Sequence, residues 1–312
     1  MKAALVTGPG IAPACAEFPT PPGRPGLDRI AVSAAAISHV TRARAAGGHY
    51  SSPADFPFIA GVDGVGRRED GSRVYFAMPE APLGSMAEVT LVRRDQIVPL
   101  PDGLDDATAA AIAIPGASSW VALTERAKLE RGQTVLINGA TGAAGSLAVK
   151  IARHLGAARI IATGRNEAVL ATLGADATLP LAAPDLARRA AEHFAAGVDI
   201  VIDYLWGESA EQLLIAAAKA SPDHHAVRYV EIGSASGGEI TLPSPVLRST
   251  AITLMGSGLG SIPLPRFIAR AGEMLAAATT AGLTLSTRAV PLADIATAWA
   301  DDGTRTVITM AH

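Results

Sequence analysis

Apolar and polar residues alternate in short runs along the first third of the chain, and each run closes on glycine or proline. Residues 2–7 read as a strand, 19–25 as a proline-rich connection and 28–36 as a second, alternating strand. Residues 58–65, 73–77 and 87–92 follow as strands, bounded by turns such as Asp70-Gly71 and Pro82-Leu83-Gly84. Helical spacing in this part is confined to residues 105–112. After Pro115 the period changes. Residues 134–138 form a short buried-type strand. Ala144, Leu147, Ala148, Ile151, Ala152 and Leu155 then recur on one helix face, and Gly156 suits that helix's end. Strands at 159–163, 177–179, 198–203, 228–232 and 251–255 alternate with helical segments, which predicts parallel βαβ units in a doubly wound α/β sheet. From Leu264 a helix leads to strands at 288–290 and 305–309, around a helix at 293–299.

Composition narrows the function classes. At 312 residues, 49% hydrophobic and 18% charged, the chain is globular, and its length predicts two domains. A formal charge of −3 lacks the basic excess of a nucleic-acid binder. No Lys/Arg cluster beside an amphipathic helix marks a membrane surface, and no run reaches the roughly 18 uncharged apolar residues of a span. The apolar run after Met1-Lys2 is broken at Gly8-Pro9-Gly10, too short for a secretory leader. A lone Cys15 excludes internal disulfides and multi-thiolate zinc sites. The expectation is a cytoplasmic protein.

The chemistry concentrates after the strand at 134–138. Asn138-Gly139-Ala140-Thr141-Gly142-Ala143-Ala144-Gly145 follows that strand and opens a helix, matching A-x-G-x-x-G. Gly142 lets backbone approach a pyrophosphate, Gly145 lets helix and strand pack closely, and the N–H groups of Ala143 and Ala144 face the phosphates at the positive helix end. Dinucleotide sites that take NAD place a carboxylate about 20 residues on. Here that place holds Arg165, within Gly164-Arg165-Asn166, and a guanidinium clasps a 2′-phosphate. The cofactor expected is NADP(H). Ile232-Gly233-Ser234 and Ser257-Gly258 follow later strands, at the sheet edge beside a cofactor. A glycine-rich turn without a ligand explains those two segments equally well.

With these motifs the chain resembles the medium-chain dehydrogenase/reductase superfamily, in its zinc-independent quinone oxidoreductase branch. Gly61-Val62-Asp63-Gly64-Val65-Gly66, Leu173-Gly174-Ala175-Asp176 and Val201-Ile202-Asp203 support the likeness over nearly the whole length. It implies a GroES-like β-barrel catalytic domain, residues 1–114 completed by 264–312, and a Rossmann cofactor domain at 115–263. It also implies a homodimer and a small electrophilic substrate. Zinc enzymes of the superfamily place a cysteine and a histidine where this chain has Ser38 and Val62, so no metal is expected. Without a Lewis acid, hydride delivery to a quinone or to the β-carbon of an α,β-unsaturated carbonyl is favoured over alcohol oxidation.

His39, Tyr50 and Ser118 are the candidate catalytic side chains, with Ser119 beside them. His39 stands in the segment where relatives carry Asn and Asp, and it is a proton donor near neutral pH or a histidine bonded within the fold. Tyr50 matches a tyrosine often found over the substrate pocket. Ser118 and Ser119 bond the nicotinamide or a substrate oxygen, or else cap a helix starting at Trp120. Arg42, Arg44, Arg67 and Arg68 offer a docking face for an acidic carrier in an enoyl-reductase reading, or are merely solvated. A third reading is a non-catalytic NADPH-binding sensor.

Overall fold

The computed structural model describes residues 1–48, 52–53, 55–301 and 305–310. The chain divides into two compact units. One holds Met1–Ile114, Leu264–Thr280 and Thr284–His312, and the other holds Pro115–Pro263 with Ala281–Leu283.

The first unit opens with β1 (Lys2–Val6), β2 (Ala14–Glu17), β3 (Leu27–Ala36), α1 (His39–Ala45), β4 (Phe58–Ile59) and β5 (Asp63–Arg67). β6 (Arg73–Ala77), β7 (Val89–Arg93) and β8 (Ile97–Pro99) follow, and helix α2 (Asp106–Val121) starts in this unit and ends in the second, which begins at Pro115. β1 lies between β2 and β4 in a small antiparallel sheet. The ten residues of β3 serve three antiparallel neighbours: β7 along Leu27 to Ala31, β5 beyond it, and the last strand of the chain at Ala34 to Ala36. A register shift between Val32 and Ala34 is the irregularity at which β3 changes pairing. Ile30, Val32, Phe58, Val74, Phe76 and Ile308 fill the core between the sheets.

The structure corrects the sequence expectation in several places. The single strand expected at 58–65 is two strands in two sheets, because Gly61 turns the chain at φ +101°. β2, β8 and α1 have no counterpart in the sequence reading. α1 has only seven residues, two of them β-branched, and owes its start to buried Ser38, whose hydroxyl accepts the Thr41 N–H at 3.1 Å.

The helix expected at 105–112 runs on through Pro115 to Val121 and widens into a π turn at Ala122–Arg126. Pro115 lacks an N–H, so the Ala111 carbonyl one turn back loses its helical donor. Arg305 supplies a replacement, its Nε donating to that oxygen at 3.2 Å. Asp106–Arg126 is long and apolar enough to cross a membrane, contrary to the expectation that no segment is, but most of its apolar stretch is buried in the protein's own core.

The second unit alternates strands and helices: β9 (Thr134–Asn138), α3 (Ala143–His154), β10 (Arg159–Gly164), α4 (Glu167–Leu170), β11 (Ala177–Pro180) and α5 (Leu186–Ala195). It continues with β12 (Ile200–Asp203), α6 (Gly207–Ala220), β13 (Val227–Glu231), α7 (Pro245–Arg248) and β14 (Ile252–Gly256). All pairs are parallel, in the order β11-β10-β9-β12-β13-β14, which is the doubly wound Rossmann arrangement. β9 and β12 sit where that order reverses, so their carboxyl ends flank the crevice in which such sheets bind ligands. Leu136, Ile161, Phe194, Val201, Leu213 and Tyr229 are buried in its core. Lys150 on α3 donates through Nζ to the Gly282 carbonyl at 2.8 Å.

The chain then returns to the first unit through α8 (Leu264–Ala277), β15 (Thr287–Pro291), α9 (Ile295–Trp299) and β16 (Arg305–Thr309).

Candidate active site

The turn between β9 and α3 is braced from below by buried polar groups. The Gly139 N–H donates to Thr163 Oγ1 at 3.1 Å, and that hydroxyl donates to Asn138 Oδ1 at 2.6 Å. Asn138 Nδ2 in turn donates to Asp203 Oδ1 at 2.8 Å. Asn138 and Asp203 are register partners at the carboxyl ends of β9 and β12. The Asp203 carboxylate also accepts the N–H groups of Leu205 and Trp206 and, at 2.7 Å, the Tyr229 hydroxyl. Burial pushes the Asp203 carboxyl up, and these hydrogen bonds oppose it. Thr163 and Tyr229 are site residues that the sequence motifs do not single out, and Asn138, which opens the glycine-rich segment, has no role assigned to it there. A signal exists for Asn138, which ends apolar β9, and for Thr163, next to the end of apolar β10, but not for Tyr229, which lies mid-strand in β13.

Above this network, Ala140 is buried and its N–H is tied to the Thr163 carbonyl at 2.7 Å. Gly142 precedes α3 without a capping side chain, so the first helix N–H groups, at Ala143 and Ala144, have no acceptor among the described residues. A Cβ on Gly142 would meet only the Gly139 oxygen, at 3.7 Å, so the space there is open. Gly145 is the reverse case, with the Gly139 oxygen 2.3 Å from where its Cβ would stand.

The turn also reaches the end of β10. Thr141 packs so tightly on Gly164 that a Cβ there would lie 2.4 Å from Thr141 Cγ2. Exposed Arg165 comes next, with no hydrogen bond or ion pair to a described residue. Asn166 is the N-cap of α4, its Oδ1 accepting the Val169 N–H at 3.1 Å. The structure thus brings Thr141, Gly164 and Arg165 together at one sheet edge. This cradle fits a dinucleotide: free amides at a helix start, an open approach, and a guanidinium one strand away.

Farther along the same edge, the N–H groups of Ile232 and Gly233 bond the Asp203 carbonyl, and Ser234 is exposed. Ser257 is buried, and its N–H donates to the Glu231 carbonyl at 2.8 Å. The Gly258 N–H donates to Ser261 Oγ at 3.1 Å.

The candidate catalytic side chains belong to both units. Ser118 and Ser119 lie inside α2 and cap no helix at Trp120, a correction that follows from the helix continuing past Pro115. Both hydroxyls donate to the Pro115 carbonyl at 2.9 Å. Ser119 also lies 2.6 Å from the Tyr204 hydroxyl and is fully buried, whereas Ser118 stays half-exposed. His39 is the exposed first residue of α1, in the other unit. Tyr50 lies outside the described residues.

Of the two would-be zinc positions, Ser38 is spent as the α1 cap and Val62 is a buried hydrocarbon. Next to Val62, Asp63 is 2% exposed. Burial raises its carboxyl to about 7 despite the opposing Arg305 guanidinium. Its Oδ2 and the neighbouring Tyr75 hydroxyl make no well-formed hydrogen bond. Among the described residues no three His, Cys, Asp or Glu side chains converge as metal ligands.

The comparisons with known proteins agree with this geometry. A family model described as zinc-binding dehydrogenase matches residues 143–277. The probable NADPH-dependent quinone reductase tdiC of Emericella nidulans is 29% identical, covering 98% of both chains. A phenolphthiocerol/phthiocerol polyketide synthase of Mycobacterium tuberculosis is 30% identical over 222 residues, 68% of this chain but 10% of that much longer protein. The quinone oxidoreductase from Thermus thermophilus, solved also in complex with NADPH, superposes with a TM-score of 0.81 at 26% identity over 99% of this chain and 100% of that one. Sheet order, phosphate turn and full-length likeness converge: the chain belongs to the medium-chain dehydrogenase/reductase superfamily, in its quinone oxidoreductase-like branch.

Proposed function

We propose that the protein is an NADPH-dependent reductase of quinones or α,β-unsaturated carbonyl compounds that works without metal. The observation that carries this reading is the cradle at the switch point of the second unit. It combines the open face of Gly142, the amides of Ala143 and Ala144, and Arg165, none of which has a partner among the described residues. The same cofactor is named for the Emericella relative and for the Thermus complex.

In this reading Ala143 and Ala144 hold the pyrophosphate, Arg165 takes the 2′-phosphate, and the loops at Ile232 to Ser234 and at Ser257 and Gly258 border the nicotinamide end. Bound there, NADPH supplies a hydride. The chain's own contribution is orientation, together with hydrogen bonds to the oxygen on which charge develops. Ser118 reaches such an oxygen only by giving up its bond to the Pro115 carbonyl, which Ser119 continues to satisfy. His39 and Tyr50 are the side chains that deliver a proton to the α-carbon, in competition with water.

What occupies the ligand positions supports metal independence. A valine has no lone pair, and the Ser38 oxygen already serves a helix start. The test is NADPH oxidation over a panel of quinones and enones, with and without chelator. Chelator-insensitive turnover is expected; activity lost with chelator and restored by zinc contradicts the proposal.

A second reading, an enoyl reductase for carrier-bound acyl chains, is favoured by the likeness over 222 residues to a segment of a polyketide synthase. Turnover of acyl thioesters in preference to free enones would select it.

A further inference from the structure

Strand order sets the direction in which a dinucleotide runs across the second unit. In the proposed reading the pyrophosphate sits at the start of α3, which follows β9, and the 2′-phosphate sits at Arg165, which follows β10. β10 and β12 flank β9 on opposite sides, so the nicotinamide half extends over the carboxyl end of β12. The first residue past that strand is Tyr204.

Tyr204 is tied to each part of that edge. Its N–H donates to the Asn138 carbonyl at 3.1 Å, and its own carbonyl accepts the Ala235 N–H at 3.2 Å. A Cβ on Gly233 would stand 3.1 Å from the same carbonyl oxygen, so the loop after β13 packs directly on Tyr204. The phenol reaches buried Ser119 at 2.6 Å, and Ser119 Oγ lies 3.2 Å from the Ala144 carbonyl in the first turn of α3. Tyr204 itself is only partly buried. The protons of this hydroxyl pair follow from the partners. Ser119 has one proton, and the Pro115 and Ala144 carbonyls beside it only accept, so Ser119 donates to carbonyl and the phenol donates to Ser119. Burial pushes the phenol above its ordinary range, which keeps its proton in place. Two lone pairs then remain on the Tyr204 hydroxyl oxygen, and no donor of a described residue reaches them.

We infer that Tyr204 holds the nicotinamide half of NADPH, its hydroxyl oxygen accepting a hydrogen bond from a donor of the nicotinamide riboside, and that Ser119 is the positioning residue that aims it. Ser119 is buried and its proton is committed to a carbonyl, so it serves the cofactor only through Tyr204. A tyrosine suits this place because its rigid ring presents the oxygen at little cost in side-chain entropy. The inference rests on the NADPH reading of the cradle, because it names a contact to the other half of that ligand.

The experiment compares NADPH with adenosine 2′,5′-bisphosphate, which carries the 2′-phosphate but lacks the nicotinamide riboside. Calorimetry gives the affinity of the wild type, Tyr204→Phe and Ser119→Ala for both ligands. Tyr204→Phe is expected to weaken NADPH about 3- to 10-fold, the worth of one neutral hydrogen bond, and to leave the bisphosphate unchanged, which also shows that the cradle is folded. Ser119→Ala should show the same selectivity with a smaller loss. The NADPH analogue with 3-acetylpyridine in place of nicotinamide has no amide N–H and so identifies the donor. A Tyr204→Phe loss that persists with it assigns a ribose hydroxyl, and one that vanishes assigns the carboxamide. Equal losses for NADPH and the bisphosphate in Tyr204→Phe, or no loss for either, overturn the inference. A wild type that binds neither ligand overturns the cofactor reading, and the inference with it. A selective loss in a protein that reduces no quinone or enone supports the assignment of Tyr204 and contradicts the reductase reading, so the two failures are distinguishable.

Discussion

The Gly139 carbonyl oxygen lies 2.3 Å from where a Cβ of Gly145 would stand, whereas a Cβ on Gly142 would clear the same oxygen at 3.7 Å. The two glycines therefore serve different ends, and substitution separates them. Gly142→Val is expected to fold with a near-native thermal midpoint and to lose NADPH binding, since its side chain fills the open approach. Gly145→Val is expected to cost about 1–3 kcal/mol or more, because backbone must move to admit it. Thermal denaturation beside NADPH titration checks both. Loss of fold in Gly142→Val would mean that this glycine is structural.

Cofactor choice depends on Arg165, which has no partner among the described residues and follows the strand whose Gly164 packs on Thr141. Arg165→Ala is expected to weaken NADPH binding by about one to two orders of magnitude, the worth of a charged hydrogen-bonded pair. NADH affinity should change little. Equal losses for both cofactors would place Arg165 on the shared part of the ligand.

Buried Asp63 makes stability depend on pH. Its carboxyl titrates near 7 in the folded chain, against 3.8 for an unperturbed group. The folded state therefore holds the proton more tightly. Stability from this group is full below about pH 4 and is lost as pH rises through 7, by at most about 4 kcal/mol. Asp63→Asn removes that loss, so its stability advantage over the wild type should grow between pH 4 and 7. Parallel urea-denaturation profiles across that range would contradict the assignment.

Much of this was legible in the sequence, for identifiable reasons. The second unit's strands are short apolar runs and its helices have clean apolar faces, so the alternation that dictates a parallel sheet shows directly. The phosphate turn shows because its glycines follow a strand. The first unit was less legible where tertiary pairing decides. Residues 58–65 have the composition of one strand, yet Gly61 sends its halves to different sheets. Pro115 looks like a stop, and the helix passes it because Arg305, far along the chain, takes over the orphaned Ala111 carbonyl. Arg42 looked like its neighbours, because only the fold shows that it donates to the Trp299 and Asp301 carbonyls.

The proton donors give a kinetic prediction. For enones, His39→Asn or Tyr50→Phe should lower turnover by up to about 10²–10⁴-fold, the usual worth of a positioned general acid, while NADPH binding persists. For quinones, which need no proton on carbon, the losses should be smaller. If both single variants and the double variant reduce enones at the wild-type rate under conditions where hydride transfer is rate-limiting, water is the donor.

The most direct measurement follows the hydride itself. NADPH carrying deuterium at the transferable position of its nicotinamide is incubated with the protein and an enone under chelator, and the product is read by NMR. Deuterium is expected at the β-carbon, with the α-hydrogen drawn from solvent, and Gly142→Val should abolish the transfer. NADPH that binds yet keeps its deuterium across the whole panel of enones and quinones would contradict the reductase assignment and leave a cofactor-binding protein without this chemistry.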